Sequence, residues 1–318
     1  MIKNEEQFID FISKNFESIS RIPSNWLGVG DDAAIITFDS NELIFCADAV
    51  VQDVHFRQET NFFNVGWKAI VSNQSDIAAM GGYPLAFTIT LGINKKISEK
   101  QLIDLYKGMD SACQKHGGYL IGGDIVKSNE IFISISAIGK NFQKKRSLRR
   151  DKANEGDVVA ITGEIGDSIA GFEMLENNQN TSNKQTKKFL EPIPRINEGR
   201  AAIEAGIVCG MDISDGLNKD LKRICESSNV KIDIDIEKIP YDKFLEKYFL
   251  NEFENKILNS GEEYELILIA PISKIKSLKE KIDISIIGKV TGNNIPEINF
   301  YKNNKKINLT SESFDHFG

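Results

Sequence analysis

Apolar residues recur at helical spacing in several stretches of the N-terminal part. Residues 4–19 read as an amphipathic opening helix. A second helix is expected over residues 66–80, with Trp67, Ile70, Val71, Ile77 and Ala78 as its apolar stripe. A further helix covers 98–116, where Gly117 and Gly118 supply a natural stop. Short strand-like runs fall at 33–38 and 43–47. The segment 85–93 alternates Leu85, Phe87, Ile89, Leu91 and Ile93 with smaller or polar residues, and 131–138 alternates in the same way. Residues 141–154 are basic, polar and nearly bare of apolar side chains, which places a domain boundary there and divides 1–145 from 146–318. Beyond it the pattern resumes with a strand at 158–162, a helix from Asp167, and strands at 231–236, 264–270 and 284–290. This mixture of strands and helices predicts an α/β (α+β) class. The stretch 176–188, rich in Asn, Gln, Lys and Thr, is expected to be a mobile surface insertion without a functional role.

Composition narrows the function classes. A chain of 318 residues is long for one core and suits two domains. No apolar run reaches the roughly 20 residues needed to cross a bilayer, and residues 1–10 lack the pattern of a secretory signal. Cys46, Cys113, Cys209 and Cys225 are scattered, as expected of reduced thiols in a cytoplasmic protein. The net charge of -7 argues against nucleic-acid binding. With His55, His116 and His316 as its only histidines and no paired cysteines, the chain is a poor zinc ligand. Any resident cation is expected to be a hard, oxygen-seeking one.

Aspartates stand beside small or glycine-rich turns. They occur as Gly30-Asp31-Asp32-Ala33, Ala47-Asp48, Ser75-Asp76, Gly123-Asp124 and Asp212-Ile213-Ser214-Asp215-Gly216. Each alone has a bland reading, because aspartate bonds nearby backbone in turns. Asp76 differs. It falls in a helical stretch beside Ala78, Ala79 and Met80, where an unpaired charge is costly. Jointly the set suits magnesium, which takes near-octahedral oxygen coordination and binds through one or two carboxylates plus substrate phosphates. Ions held by Asp31, Asp32, Asp48, Asp76, Asp124 and Asp212 would turn an acidic pocket into a polyphosphate site. The neighbouring glycines allow close backbone approach to phosphate oxygens. The phosphate loop Gly-x-x-x-x-Gly-Lys-Ser/Thr and the protein-kinase triplets are absent from the sequence. Gly28-Val29-Gly30-Asp31-Asp32-Ala33 fits a loose dinucleotide pattern, but it precedes a strand rather than a helix and is discounted.

Read together, these segments resemble one enzyme family. Gly30-Asp31-Asp32-Ala33-Ala34, Asp48 with Val54-His55-Phe56, Ser75-Asp76-Ile77-Ala78-Ala79-Met80-Gly81 and Leu120-Ile121-Gly122-Gly123-Asp124 are similar to motifs of thiamine-monophosphate kinases. So are Asp212-Ile213-Ser214-Asp215-Gly216-Leu217, Ser260-Gly261-Glu262-Glu263-Tyr264-Glu265-Leu266 and the closing Phe314-Asp315-His316-Phe317. The wider superfamily is that of aminoimidazole-ribonucleotide synthetases. The resemblance implies a two-domain fold of that type, an N-terminal domain that forms a homodimer, and ATP in the cleft between the domains. It implies several magnesium ions on Asp32, Asp48, Asp76, Asp124, Asp212 and Asp215, assisted by backbone near Cys46 and Ala47. Asp124, Asp212 and Asp215 are the expected catalytic members. Gly123, Asp124, Arg150, Ser214 and Tyr106 would contact the nucleotide, with Arg149 a comparable candidate to Arg150. His55, Glu262 and Phe314 would face the thiamine phosphate. Cys46 and Ala47 stand where many members carry Ser and Thr, Ile125 where Thr is common, and Glu263 where Asp is frequent.

The implied reaction moves the γ-phosphoryl group of ATP to thiamine monophosphate. A phosphate monoester with second pKa near ~6 is already ionised at neutral pH, so no general base is required. Positioning and charge neutralisation then suffice. An aromatic face such as that of Phe314 would attract the thiazolium cation, and Glu262 would add a counter-charge. His55 and Phe314 also have plain structural readings. The competing expectations are another ATP-dependent member of the superfamily, of the aminoimidazole-ribonucleotide or selenophosphate synthetase type, and a non-catalytic metal- or nucleotide-binding protein.

Overall fold

Two mixed β-sheets organise the chain. The structure, a computed structural model, describes residues 5–15, 22–38, 41–143, 146–177, 183–307 and 309. The first half contains α1 (Glu5–Asn15), β1 (Ala34–Phe38), β2 (Asn41–Val51), α2 (Phe62–Ala79), β3 (Gly82–Ile93), α3 (Glu99–His116), β4 (Tyr119–Lys127) and β5 (Phe132–Asn141). Its five strands run β1-β2-β5-β3-β4, antiparallel except for β3 beside β4. The second half contains β6 (Val158–Thr162), α4 (Asp167–Glu176), α5 (Lys184–Leu190), α6 (Ile196–Glu204), β7 (Cys209–Asp212), α7 (Leu217–Ser228) and β8 (Val230–Asp235). It continues through α8 (Phe244–Phe249), α9 (Phe253–Leu258), β9 (Leu266–Ala270), α10 (Ile272–Lys279), β10 (Ile284–Asn293), β11 (Glu297–Lys302) and β12 (Lys305–Ile307). These strands form a seven-stranded sheet in the order β12-β11-β8-β10-β6-β9-β7, antiparallel except for β8 beside β11.

The helix α2 is central. Asn61 caps its start by accepting from Phe63 N, and nearly every side chain along it is buried. A helix enclosed on all sides is a core element rather than a surface one. It can lie against α3 because both helices carry glycine at the crossing. A Cβ on Gly66 would stand 1.9 Å from Leu105 O, and one on Gly108 would stand 1.9 Å from Phe63 O. The C-terminal end of α2 crosses into the second half. Ala79 shares an apolar cluster with Leu148, Ala160, Ala202, Ile203, Leu266 and Leu268. One buried helix therefore joins both halves and carries Asp76 to their junction.

Three expectations are corrected. The alternating strand 85–93, whose apolar face would be expected to be shared between the subunits of the homodimer, is not free for that, since Phe87, Ile89 and Leu91 are buried in the core of their own half. The large apolar side chains left exposed nearby are Tyr119, Ile121 and Ile125 on the edge strand β4. The polar stretch 176–188 is not wholly a surface insertion. From Lys184 it forms α5, with Gln185 and Thr186 buried, and Lys188 Nζ lies 2.6 Å from the buried carboxylate of Glu265. Its lysine is drawn inward by that carboxylate, while 178–182 lie outside the described residues. The strand expected from 264 begins at Leu266, because Glu262 and Tyr264 hold left-handed backbone angles of φ 55° and 54°.

His116 ends α3 with its ring edge-on to Trp67, the centroids 5.6 Å apart. Burial, aided by Lys115, pulls its pKa down to about 4. The ordinary value is about 6.5, so between those pH values the unfolded chain binds more protons than the folded one. This histidine's contribution is complete above pH ~6.5 and is lost as pH falls toward 4. Denaturant midpoints of wild type and His116→Gln at pH 7 and pH 5 test this. The wild type is expected to lose more stability than the variant over that interval, and parallel losses would contradict the assignment.

Candidate active site

The junction of the halves gathers carboxylates from four directions. Asp31 and Asp32 lie in the turn before β1, Asp48 on β2, Asp76 on α2, and Asp212 at the end of β7. Asp31, Asp32 and Asp212 are each tied in by a neighbour from the other half. Ser75 Oγ donates to Asp212 Oδ2 at 2.5 Å, which fastens α2 to β7. Arg150 reaches across to the first half. Its backbone N donates to Asp31 Oδ2 at 3.2 Å, its Nε lies 3.8 Å from Asp31 Oδ1, and its Nη2 contacts Asp32 Oδ1. Arg150 is thus an internal clamp with a side chain only 15% exposed, not a solvated linker residue. The rival candidate Arg149 pairs instead with Asp151 at 2.8 Å.

The segment after β7 is held by a second buried carboxylate. Asp220 Oδ2 accepts from the backbone N of Ser214, Asp215 and Gly216, each at 3.1 Å. Gly216 has φ 112°, and its Cα lies where a Cβ would come within 2.9 Å of the Asn259 backbone. Glu262 N donates to Ser214 O at 2.7 Å, which brings the 260–265 segment to the same place. Asp215 pairs with Arg223 at 2.6 Å and Lys219 at 3.1 Å. Burial opposes its charge, but these two cations together hold its carboxyl below the ordinary range.

Asp31, Asp76 and Asp212 are under the opposite pressure. Burial raises Asp31 to about 7, with Asp32 adding to the effect. Burial raises Asp76 well above its usual value, with Asp48, Asp212 and Asp32 repelling its charge. Asp212 is raised by burial and then by Asp32. Burial and then Asp76 push the Cys46 thiol up as well. Among the described residues, two buried oxygens at this junction, Asp32 Oδ2 and Asp212 Oδ1, have no hydrogen-bond partner. Crowded carboxylates with unmatched oxygens fit a hard divalent cation, which accepts several oxygens and neutralises their repulsion. The residues present therefore suit magnesium. Elsewhere, Glu164, Asp167 and Asp242 converge, but the Lys184 ammonium lies 2.6–3.0 Å from all three and occupies the place between them.

The cleft has two lobes that meet at Ala47, Asp48, Asp76, Ser214 and Arg223. One lobe, about 1030 Å³, is walled by the Gly28–Ala34 turn, Phe45, Cys46 and Arg150. The other, about 880 Å³, is walled by His55, Lys68, Phe172, Phe189, Glu262 and Tyr264. His55 Nδ1 accepts from Val51 N at 3.2 Å, so the ring is oriented by β2. Asp31, Asp32, Cys46, Ala47, Asp48, Asp76, Arg150, Asp212, Ser214, Asp215, His55 and Glu262 all come to this cleft. Gly123, Asp124 and Tyr106 do not line it. Asp124 is exposed on the edge strand, where it accepts from Ile125 N at 2.9 Å. Phe314 lies outside the described residues.

Lys68, Phe172, Phe189, Asp220 and Arg223 were not evident from the motifs. A lysine inside the apolar run Gly66-Trp67-Lys68-Ala69-Ile70-Val71 was a usable signal, since a charge on a buried helix needs a partner. Phe189 was hidden at the end of a stretch that reads as polar.

The two halves match two family models, described as AIR synthase related protein, N-terminal domain, over residues 30–141, and AIR synthase related protein, C-terminal domain, over 154–299. The fold and its cleft thus place the chain in the AIR synthase-related class. The thiamine-monophosphate kinase of Buchnera aphidicola subsp. Schizaphis graminum is 35% identical over 97% of this chain and 98% of its own length. A solved structure of AaThiL complexed with AMPPCP and TMP matches with a TM-score of 0.85 and 30% identity, covering 98% of this chain and 97% of that one. The thiamine monophosphate kinase of Aquifex aeolicus matches with a TM-score of 0.81 and 30% identity over 94% of this chain and 97% of that one. The chain belongs to the thiamine-monophosphate kinase family.

Proposed function

We propose that the protein transfers the γ-phosphoryl group of ATP directly to thiamine monophosphate, giving thiamine diphosphate. The observation that carries this reading is the cleft with two lobes meeting at a crowd of carboxylates. A donor and an acceptor, each ending in phosphate, would meet at that point. The relative with AMPPCP and TMP bound supports the same pair of ligands. The lobe beside the Gly28–Ala34 turn takes the nucleotide, with Arg150 and Ser214 at its phosphates. The lobe beside His55 and Glu262 takes the acceptor, with Phe314 as a further contact. Asp31, Asp32, Asp48, Asp76, Asp212 and Asp215 would hold magnesium, with backbone at Cys46 and Ala47 assisting. Bound magnesium supplies positive charge to phosphates that would otherwise be repelled here. The protein's own groups then orient the acceptor oxygen in line with the donor phosphorus and exclude competing water. His55 offers no free base at Nδ1, and none is needed for an acceptor already ionised above pH ~6. A cytoplasmic setting suits the four free thiols, and no helix among the described residues is long and apolar enough to cross a membrane.

Incubating the protein with MgATP and each acceptor separately, with products resolved by chromatography, tests the substrate. Thiamine monophosphate is expected to become the diphosphate and free thiamine to remain unchanged. Efficient phosphorylation of free thiamine would contradict the reading.

The chain is also proposed to work as a homodimer, with domains 1–145 and 146–318. Asp124 lies on β4, three strands from the Asp48-bearing β2, which is roughly 14 Å at the usual strand spacing. If Gly123, Asp124 and Tyr106 serve a nucleotide, they serve the cleft of a second copy. The exposed Tyr119, Ile121 and Ile125 on that edge supply apolar surface for pairing. Asp76→Asn and Asp124→Asn are each expected to lower turnover at least ~100-fold with the fold intact. Mixed after subunit exchange, they should regain roughly a quarter of wild-type activity, because half of random dimers are hybrids with one intact site. No recovery in a mixture whose hybrids are verified by mass, or a monomer by light scattering, would contradict the shared site.

A further inference from the structure

In the acceptor lobe, Glu262 is already paired with a lysine of the chain. Lys68 sits on α2, two turns before Asp76, with a side chain only 7% exposed. Its Nζ lies 2.9 Å from Glu262 Oε2 and 3.4 Å from the centroid of the Phe189 ring. Lys68, Glu262 and Phe189 all line the acceptor lobe. Burial pulls the Lys68 pKa below its ordinary value, and Glu262 opposes that pull.

A purely structural role explains this poorly. An apolar side chain of similar volume would pack on a buried helix without a desolvation cost, and replacing buried ion pairs that way is often neutral or stabilising. The partners are informative as well. An ammonium that faces a carboxylate on one side and an aromatic ring on the other has the surroundings that suit a cationic heterocycle. Glu262 and Phe189 are therefore already occupied by a positive charge from the protein.

We propose that Lys68 determines acceptor specificity by ion-pair exchange: its ammonium holds the place of the acceptor's cationic ring, and binding requires an acceptor that replaces that charge at Glu262 and Phe189. This rests on the proposed acceptor, a phosphate monoester carrying a fixed positive ring. A cationic acceptor restores the counter-charge that Glu262 loses, and the displaced Lys68 ammonium takes as its new partner the phosphate that the same acceptor brings into the lobe. An uncharged ring of the same shape leaves Glu262 without a counter-charge, and unpaired polar groups of this kind are what give large discrimination between similar ligands. The exchange forms and breaks no covalent bond.

Calorimetric titration without ATP tests this, with two ligands: thiamine monophosphate, and its analogue in which an uncharged thiophene replaces the thiazolium. Wild type is expected to prefer the charged ligand. Lys68→Met removes the internal competitor, so it should bind thiamine monophosphate roughly tenfold more tightly while the uncharged analogue does not gain. Lys68→Arg, which can pair with both Glu262 and Phe189, should return affinity toward wild type. The double variant Lys68→Met with Glu262→Gln should lose most of the preference for the charged ring, and it keeps the test open if the single variant is unstable. Unchanged or weaker binding of thiamine monophosphate by folded Lys68→Met overturns the exchange and assigns Lys68 a supporting role. Absence of binding by wild type overturns the functional reading along with it.

Discussion

Mutual repulsion among buried carboxylates is the constraint around which this fold is arranged. Asp32, Asp48, Asp76 and Asp212 come from a turn, a strand, a helix and a second strand; the other three raise the proton affinity of Asp76, and Asp32 raises that of Asp212. Left alone, such a set would drive the two halves apart or neutralise itself by taking up protons. The chain counters this with contacts that cross between halves. Arg150 binds the Asp31–Asp32 turn, Ser75 binds Asp212, and the apolar end of α2 is buried among residues of the second half. The opposition is incomplete, since Asp32 Oδ2 and Asp212 Oδ1 stay unmatched. That residue of uncompensated charge is what suits the junction to cations and phosphates.

A second tier of buried polar groups supports the first without facing the cleft centre. Asp220 fixes the Ser214–Gly216 turn through three backbone amides. Glu263 accepts from Gly166 N at 2.7 Å and Ser168 N at 3.2 Å, which orients the start of α4 at the edge of the acceptor lobe. Glu265 is held by Lys188, Arg195 and Thr162. These carboxylates fix turns and helix starts and so shape the cleft, whereas Asp32 and Asp212 at the junction each keep one oxygen without a hydrogen-bond partner among the described residues. In the acceptor lobe, Lys68 and Glu262 form a third kind, paired now but with partners that a ligand could supply.

Much of this was legible in the sequence, for identifiable reasons. Helix α3 was bounded well because Ser98 forms a capping box with Gln101 and Gly117 ends it at φ 96°. Strand β6 and the start of α4 fell where the apolar run and Asp167 put them. Strand β4 was not visible. It is an exposed edge strand interrupted by Gly122 and Gly123, so it carries no alternation. The four residues of β7 are all buried and too few to show a period. At the site, aspartates beside glycines marked the cleft because such turns hold their carboxylates close to backbone. Lys188 and Phe189 were missed because their stretch reads as solvated, whereas Glu265 and the acceptor lobe draw them in. Long-range partners of this kind leave no local pattern.

Thermal unfolding of wild type and Asp76→Asn, each with and without millimolar magnesium, tests the central constraint most directly. The account expects magnesium to raise the wild-type midpoint, because the folded state binds a cation that the unfolded chain does not. It expects Asp76→Asn to unfold at a higher temperature than wild type without magnesium, since one repelling charge is gone, and to gain little when magnesium is added. A wild type indifferent to magnesium, together with a variant no more stable than wild type in its absence, would contradict the claim that repulsion at this junction is relieved by cations.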